Sequence, residues 1–239
     1  MIQAVLSFTL TSFVLGGFAL HKANHNVDAF TQRQRWIKFL VYLLIIHIVI
    51  GSAIAGPWYF TALMSAVVTI GFYELLKVLL LNRTSRLARK LIIVAIYLVL
   101  AGLSLRFAKD LPPMEIVWVY LITASFDGFS QLTGQWLGHT RLAPRLSPNK
   151  TVEGAIGGLV AAMLTAVVLR SLAGLSTWSV PFAGLILGLA GLSGDLAASY
   201  VKRLTGVKDF GRLLPGHGGV LDRFDSLLAT APIFYLWSY

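Results

Sequence analysis

Eight apolar runs separated by short loops dominate this chain of 239 residues. A helix needs roughly 20 consecutive apolar residues to cross the hydrocarbon core of a bilayer. Runs of about this length predict helices at about 2–20, 37–55, 58–81, 91–108, 116–137, 153–171, 178–198 and 221–238. The sequence therefore predicts an all-α fold, a polytopic membrane protein with about eight transmembrane helices.

The composition agrees with a membrane protein and argues against several other classes. Charged residues make up 13% of the chain, hydrophobic residues 56%, and the mean hydropathy is +0.75. A soluble domain usually carries about 25% charged residues. The sequence has no cysteine, which excludes disulfides, thiolate nucleophiles and zinc sites built on cysteine. The net charge of +10 is spread over short loops, which indicates membrane topology and contact with anionic lipid rather than nucleic acid.

The distribution of basic residues predicts the orientation of the helices. The odd-numbered loops hold 15 of the 20 Lys and Arg residues, and the even-numbered loops hold three. Because short cytoplasmic loops are enriched in Lys and Arg, we expect the odd loops in the cytoplasm and both termini outside. The first run lacks a basic segment before it, which favours a spanning helix over a cleaved signal peptide.

Small residues are concentrated in the sixth and seventh runs. They are Gly154, Gly157, Gly158, Gly184, Gly188, Gly191 and Gly194. Small side chains let helices approach closely in lipid, so we expect tight packing of these two helices. We find no long repeat and no flexible linker, and we interpret residues 1–239 as a single membrane domain.

Acidic residues are rare, and most of them lie late in the chain. Six of the ten are Asp127, Glu153, Asp195, Asp209, Asp222 and Asp225. Ionisable groups at membrane depth are costly and usually mark function, so Asp127, near the middle of the fifth run, is a candidate functional residue. Glu74 lies inside the third run, and we expect it to pair with Lys77 at position i+3.

Between residues 199 and 225 a basic loop is followed by a Gly-rich turn and then by a helix that begins with two carboxylates. Glycine lets backbone N–H groups approach a phosphate, and a helix N-terminus favours anions. Asp222 and Asp225 are three residues apart and share a helix face, where they suit Mg²⁺ held by oxygen ligands. The stretch therefore predicts a polyphosphate site with a divalent cation.

Two neighbouring segments are expected to join this site. Asp195, Ser199 and Lys202 are spaced to share one helical face. Upstream, Ser147 is expected to cap a helix with Pro148 at its first position, which would place the next basic residue, Lys150, at an anion-favouring N-terminus.

Several motifs carry a family resemblance. They are Ser199-x-x-Lys202-Arg203, Lys208-Asp209, Pro215-Gly216-His217-Gly218-Gly219 and Asp222-Arg223-x-Asp225, with Gly194-Asp195-Leu196 and the stretch from Ser147 to Gly154 before them. The chain resembles the phosphatidate cytidylyltransferase family in these motifs, over about residues 120–228. Asn149 stands where a lysine is usual, and Ser130, Gln131 and Gln135 depart from a weaker element around Asp127 in which Gln135 replaces an arginine.

The resemblance implies an enzyme that transfers CMP from CTP to phosphatidate and so produces CDP-diacylglycerol and pyrophosphate. It implies Mg²⁺ as cofactor and leaves a second cation open. The motifs lie in the fifth and seventh loops and the helix ends beside them, which the charge asymmetry assigns to the cytoplasm, so we expect the active site on the cytoplasmic side of the membrane. Residues 1–115 match the family only as apolar helices, and residues 116–239 carry the catalytic helices and loops. The expected partners are CTP, phosphatidate and the lipid bilayer, without nucleic acid, and a homodimer is left open.

The resemblance also distributes roles among the candidate residues. The catalytic candidates are Asp195, Lys202, Lys208, Asp209, Asp222, Arg223 and Asp225. The substrate-binding candidates are Ser147, Lys150, Thr151, Glu153, Ser199, Arg203, His217, Gly218 and Gly219. The metal-binding candidates are Asp127, Asp195, Asp222 and Asp225.

Two other functions remain open from the sequence. A CTP-dependent polyprenol or phytol kinase would pass the γ-phosphoryl group to an alcohol. A transporter or lipid-binding membrane protein without enzymatic activity would spread its ionisable groups along a path at the membrane midplane.

Overall fold

The computed structural model describes residues 1–25, 27–81, 86–173, 179–213 and 218–238. Within these residues the α-helices are α1 (Ile2–Ala23), α2 (Ala29–Ala55), α3 (Pro57–Leu81), α4 (Leu87–Asp110), α5 (Pro113–Leu137), α6 (Val152–Val168), α7 (Val180–Leu204) and α8 (Leu221–Ser238). Each of the eight predicted runs overlaps one helix. The all-α polytopic fold predicted from the apolar runs is therefore confirmed.

The helices differ in how well they suit a bilayer. Among the described residues, α1–α4 and α7 are long and apolar enough to cross a membrane, and α6 is a shorter apolar helix. Helix α8 begins with Asp222, Arg223 and Asp225, and α5 carries Asp127. These four charged residues are candidate site residues, whereas the first four helices are mainly apolar. That all eight helices span the membrane stays a prediction.

A β-hairpin joins α5 to α6 and was not predicted. Strand β1 (Arg141–Ala143) pairs antiparallel with β2 (Ser147–Thr151). Helix α6 begins after Thr151, whose side chain accepts a hydrogen bond from the Gly154 N–H at 3.1 Å. The prediction that Ser147 caps a helix with Pro148 at its first position is therefore wrong. Proline is tolerated in the edge strand of so small a sheet, and Thr151 supplies the cap instead.

Helix α5 lies at the centre of the fold. It is buried from Ile116 to Phe126 and packs against α6, α7 and α8. Close packing at the small residues supports this arrangement: a Cβ at Gly184 would lie 2.8 Å from Cα of Met163 in α6. A Cβ at Gly194 would lie 2.7 Å from the backbone oxygen of Asp225 in α8. The tight packing expected of α6 and α7 is confirmed, because such approaches exclude any side chain at these positions.

Glu74 does not pair with Lys77 as expected. Its side chain is buried, and the backbone N–H groups of Val220 and Leu221 donate to it at 3.1 and 2.9 Å. Lys77, on the same helix, is exposed. The expected ion pair is therefore wrong, because the first N–H groups of α8 lack acceptors within their own helix and Glu74 supplies them.

Candidate active site

A large cavity of about 1360 Å³ lies between the N-terminal helices, the β-hairpin and the ends of α5, α7 and α8. One part of its wall is charged and comes from the hairpin, the three helix ends and the loop before α8. Another part is apolar and aromatic, with Phe8 and Phe13 from α1, Phe39 from α2 and Leu121 from α5. The cavity therefore offers a polar and an apolar environment side by side.

Three carboxylates from three different helices reach this cavity: Asp127 from α5, Asp195 from α7 and Asp225 from α8. Ser226 joins two of them, since its hydroxyl donates to Oδ1 of Asp127 at 3.1 Å and its N–H donates to Oδ1 of Asp225 at 2.8 Å. Sequence reasoning missed Ser226, although it directly follows the last predicted aspartate. The fold thus brings three predicted metal-binding residues to one cavity and adds a serine that orients two of them.

The β-hairpin contributes a cation to the same place. Lys150, on β2, forms an ion pair with Asp195, and both side chains are partly buried, at 21% and 30% exposed. The hydroxyl of Ser199 donates weakly to Oδ1 of Asp195 at 3.5 Å. The expected shared face of Asp195, Ser199 and Lys202 on α7 is confirmed, because all three lie on that helix and line the cavity.

Asp222 makes contacts of a different kind from the other three aspartates. Its Oδ1 accepts from Nζ of Lys202 at 2.8 Å, with the two side chains only 2% and 12% exposed. Its Oδ2 accepts from the backbone N–H groups of Phe210 at 2.8 Å and Gly219 at 2.9 Å. Three donors therefore engage this carboxylate, which ties α7, the preceding loop and the Gly-rich turn to the start of α8.

The Gly-rich turn needs glycine at its centre. Gly218 has a φ of +82°, in the left-handed region that side chains disfavour. A Cβ there would also lie 2.9 Å from Oδ2 of Asp222. Gly218 lines the cavity, so the turn presents backbone rather than a side chain to whatever binds there. His217, which precedes Gly218 and was predicted to bind substrate, lies outside the described residues.

Exposed cations precede and follow the turn in the sequence. Lys208 and Arg212, from the loop before it, and Arg223, from the first turn of α8, are exposed and line the cavity, as does the exposed Asp209. Together they give this wall of the cavity an excess of positive charge, which favours a polyanionic ligand.

Two other residues that were predicted to bind substrate form hydrogen bonds with the backbone of loops in this structure. Arg203 donates from Nε to the carbonyl of Leu146 at 3.0 Å, which fixes the hairpin to α7. Glu153 accepts from the N–H groups of His139 and Thr140 at 3.2 and 3.1 Å. Their roles in substrate binding stay predictions, as does that of Ser147, which lines the cavity from β2.

The cavity also has cations that the sequence analysis did not assign to the site. Arg35 and Lys38 lie near the start of α2 and line the cavity. They come from the N-terminal half of the chain, whereas the motifs lie in the C-terminal half. No motif marks them, and their position in the site is visible only once α2 is packed against α5.

Comparison with known proteins places these motifs in a family. A model of the "Cytidylyltransferase family" matches residues 105–239. A phosphatidate cytidylyltransferase of Brucella abortus is 46% identical over 141 residues, which cover 57% of this chain and 52% of that protein. Proteins of the same name from Staphylococcus haemolyticus and Staphylococcus aureus are 34% and 35% identical over 183 residues, 75% of this chain and 70% of each relative.

The match thus spans about half the length of the Brucella protein and more of the staphylococcal ones. The family model covers α5–α8 with the hairpin, which hold most of the charged wall of the cavity. The chain belongs to the cytidylyltransferase family.

Proposed function

We propose that this protein transfers CMP from CTP to phosphatidate, with CDP-diacylglycerol and pyrophosphate as products. The observation that carries the proposal is the cavity, whose charged wall suits a polyphosphate and whose apolar wall suits the chains of a lipid. Membership of the cytidylyltransferase family supports the nucleotide, and the names of the relatives support the lipid.

In the proposed reaction a phosphate oxygen of phosphatidate attacks the α-phosphorus of CTP in line. A new P–O bond forms while the bond from the α-phosphorus to the bridging oxygen breaks, and pyrophosphate leaves with that electron pair. The attacking oxygen is already ionised, so no proton has to be removed from it. The protein's task is therefore to position two polyanions and to neutralise the charge that moves to the leaving group.

The described side chains divide this task. Lys208 and Arg212 are exposed at the cavity wall and are proposed to bind the CTP phosphates. Lys150, which now pairs with Asp195, supplies a further cation from the hairpin side. The backbone of the turn at Gly218 approaches the ligand without a side chain in the way.

We further propose Mg²⁺ as cofactor, held by Asp127, Asp195 and Asp225. In the part of the chain that the structure describes, no three such side chains are gathered closely enough to hold an ion by themselves. Mg²⁺ usually takes one or two carboxylates together with substrate phosphates and waters, so we propose that one or two of these aspartates bind the ion directly. The ion would supply charge neutralisation at the phosphates. Asp222 is less suited to this role, since three N–H donors occupy it, and its assignment as a ligand stays a prediction.

The active site is proposed to face the cytoplasm, with both termini outside. The asymmetry of Lys and Arg between odd and even loops supports this orientation. Much of the charged wall of the cavity comes from the fifth and seventh loops and the helix ends beside them, which supports an active site on the side of these basic loops. A homodimer stays a prediction.

The experiment is a product assay on purified protein in detergent with CTP, Mg²⁺ and phosphatidate. We expect CDP-diacylglycerol to form, and Asp225→Asn to abolish most of it because Asp225 lies at the cavity. Asp110→Asn is the matched control, since Asp110 binds the Tyr235 hydroxyl at 3.0 Å at the end of α4 and does not line the cavity. Absence of CDP-diacylglycerol with the wild-type protein would overturn the proposal.

A further inference from the structure

A buried glutamate from the N-terminal half of the chain contacts the Gly-rich turn. Glu74 lies on α3, outside the part matched by the family model, and is 3% exposed. The Val220 N–H donates to its Oε1 at 3.1 Å, and the Leu221 N–H donates to its Oε2 at 2.9 Å. Each carboxylate oxygen thus accepts one N–H at the very start of α8, where a negative charge is also favoured by the helix dipole.

Two glycines of the active-site loop are packed against this carboxylate. A Cβ at Gly211 or at Gly219 would collide with the Glu74 carboxyl group. On α3 itself, Gly71 lets the helix approach its neighbours, since a Cβ there would lie 2.7 Å from the Tyr97 hydroxyl and 3.5 Å from Cδ1 of Leu221. The loop before the turn and the turn itself therefore both close around Glu74.

Glu74 and Asp222 hold the turn in complementary ways. Asp222 accepts from the N–H of Gly219, while Glu74 accepts from the next two N–H groups along the chain. Gly211, Gly218 and Asp222 line the cavity, and Glu74 does not. Glu74 therefore supports the turn from behind, where it does not meet a ligand in the cavity.

We infer that Glu74 is a positioning residue for the nucleotide, which acts by holding the turn at Gly218–Leu221 in the shape that receives the CTP phosphates. The inference rests on the proposed function. It also gives the N-terminal helices a part in a site whose motifs lie in the C-terminal half. The two oxygens of Glu74 are both acceptors, so glutamine can serve one N–H only and turns an amide donor towards the other.

The test compares Glu74→Gln with Glu115→Gln, the same chemical change in the first turn of α5, away from the cavity lining. The measurements are the apparent KM for CTP and for phosphatidate, kcat, and thermal unfolding in detergent. We expect Glu74→Gln to raise the CTP KM about tenfold, the effect of losing one charge-assisted hydrogen bond, with the phosphatidate KM changed less than about twofold. Glu115→Gln should match the wild type in both KM values, in kcat and in its unfolding temperature.

A second variant covers the case in which Glu74→Gln does not fold. Gly211→Ala presses a methyl group against the Glu74 carboxylate from the loop and should raise the CTP KM in the same selective way. Gly102→Ala is its control, because a Cβ at Gly102 has open space around it. If both variants fold, the double variant should be less impaired than the two single effects combined, because both act on one contact.

The outcomes separate the inference from the function on which it rests. A wild-type protein that makes no CDP-lipid overturns the proposed function and the inference with it. An active wild type with an unchanged CTP KM in Glu74→Gln and Gly211→Ala overturns the inference alone. Lower thermal stability with both KM values unchanged would also overturn it, since that is the result for a purely structural contact.

Discussion

Replacing Asp222 with asparagine removes one negative charge while keeping nearly the same shape. In the folded protein this carboxylate accepts from the ammonium group of Lys202 and from the N–H groups of Phe210 and Gly219. Asparagine has one acceptor oxygen and one donor group, so either the Lys202 ammonium or the two N–H groups must face a donor. The substitution therefore leaves buried groups without partners whichever way the amide is turned.

The magnitude follows from how deeply the pair is buried. The Asp222 and Lys202 side chains are 2% and 12% exposed, so solvent screens their interaction little. Removing one partner of a buried ion pair typically costs about 3–5 kcal/mol. We expect Asp222→Asn to destabilise the fold around the turn by about 3 kcal/mol or more and to lose most activity.

Asp225→Asn is the matched comparison. The hydrogen bond that Oδ1 of Asp225 accepts from the Ser226 N–H can also be accepted by an asparagine oxygen. Asp225→Asn should therefore lose activity with nearly wild-type stability. The assay combines CDP-lipid formation with thermal unfolding in detergent, followed by tryptophan fluorescence.

A further variant tests the reasoning about charge. Lys202→Met added to Asp222→Asn removes the unpaired cation and should recover part of the lost stability but not the activity. Equal unfolding temperatures for the wild type and Asp222→Asn would refute the account of Asp222 as a buried acceptor.

The other predictions concern the turn, its nearest exposed lysine and the topology. Gly218→Ala should raise the CTP KM strongly and the phosphatidate KM much less, because an alanine is strained at a φ of +82°; a rise in the phosphatidate KM alone would contradict this. Lys208→Ala should weaken CTP binding, and the effect should be smaller at high salt than at low salt, because salt screens the exposed cation that the substitution removes. A loss of CTP affinity that does not depend on ionic strength would contradict a contact between Lys208 and the phosphates. A C-terminal reporter that is active only in the cytoplasm should stay inactive, and its activity would contradict the predicted orientation.

Much of the fold was predictable because the strongest signal is local. Runs of apolar residues about as long as a bilayer is thick mark the helices directly, and in the described part of the chain each run overlaps one α-helix. Close packing at Gly184 and Gly194 was predictable for the same reason, since a stripe of small residues already indicates a helix contact. The hairpin at 141–151 was missed because its strands are short and its Ser147-Pro148 sequence also suits a helix start.

The candidate site was predictable as far as its motifs extend. The fold brings Asp127, Asp195 and Asp225 to one cavity, as their motifs imply. Long-range contacts were not predictable, since no local pattern links Glu74 to backbone groups almost 150 residues later. Helical periodicity indicates only neighbours three or four positions away, and of these only Lys77 is charged, so the sequence predicts the wrong partner for Glu74.

The position of the transferred phosphorus tests the central claim most directly. Purified protein is supplied with phosphatidate, Mg²⁺ and CTP labelled either on the α-phosphorus or on the γ-phosphorus. The account predicts that the α-label enters the lipid and that the γ-label is released as pyrophosphate. A γ-label in the lipid with CDP as the other product would contradict it, because the γ-phosphoryl group and not the CMP group would then be transferred.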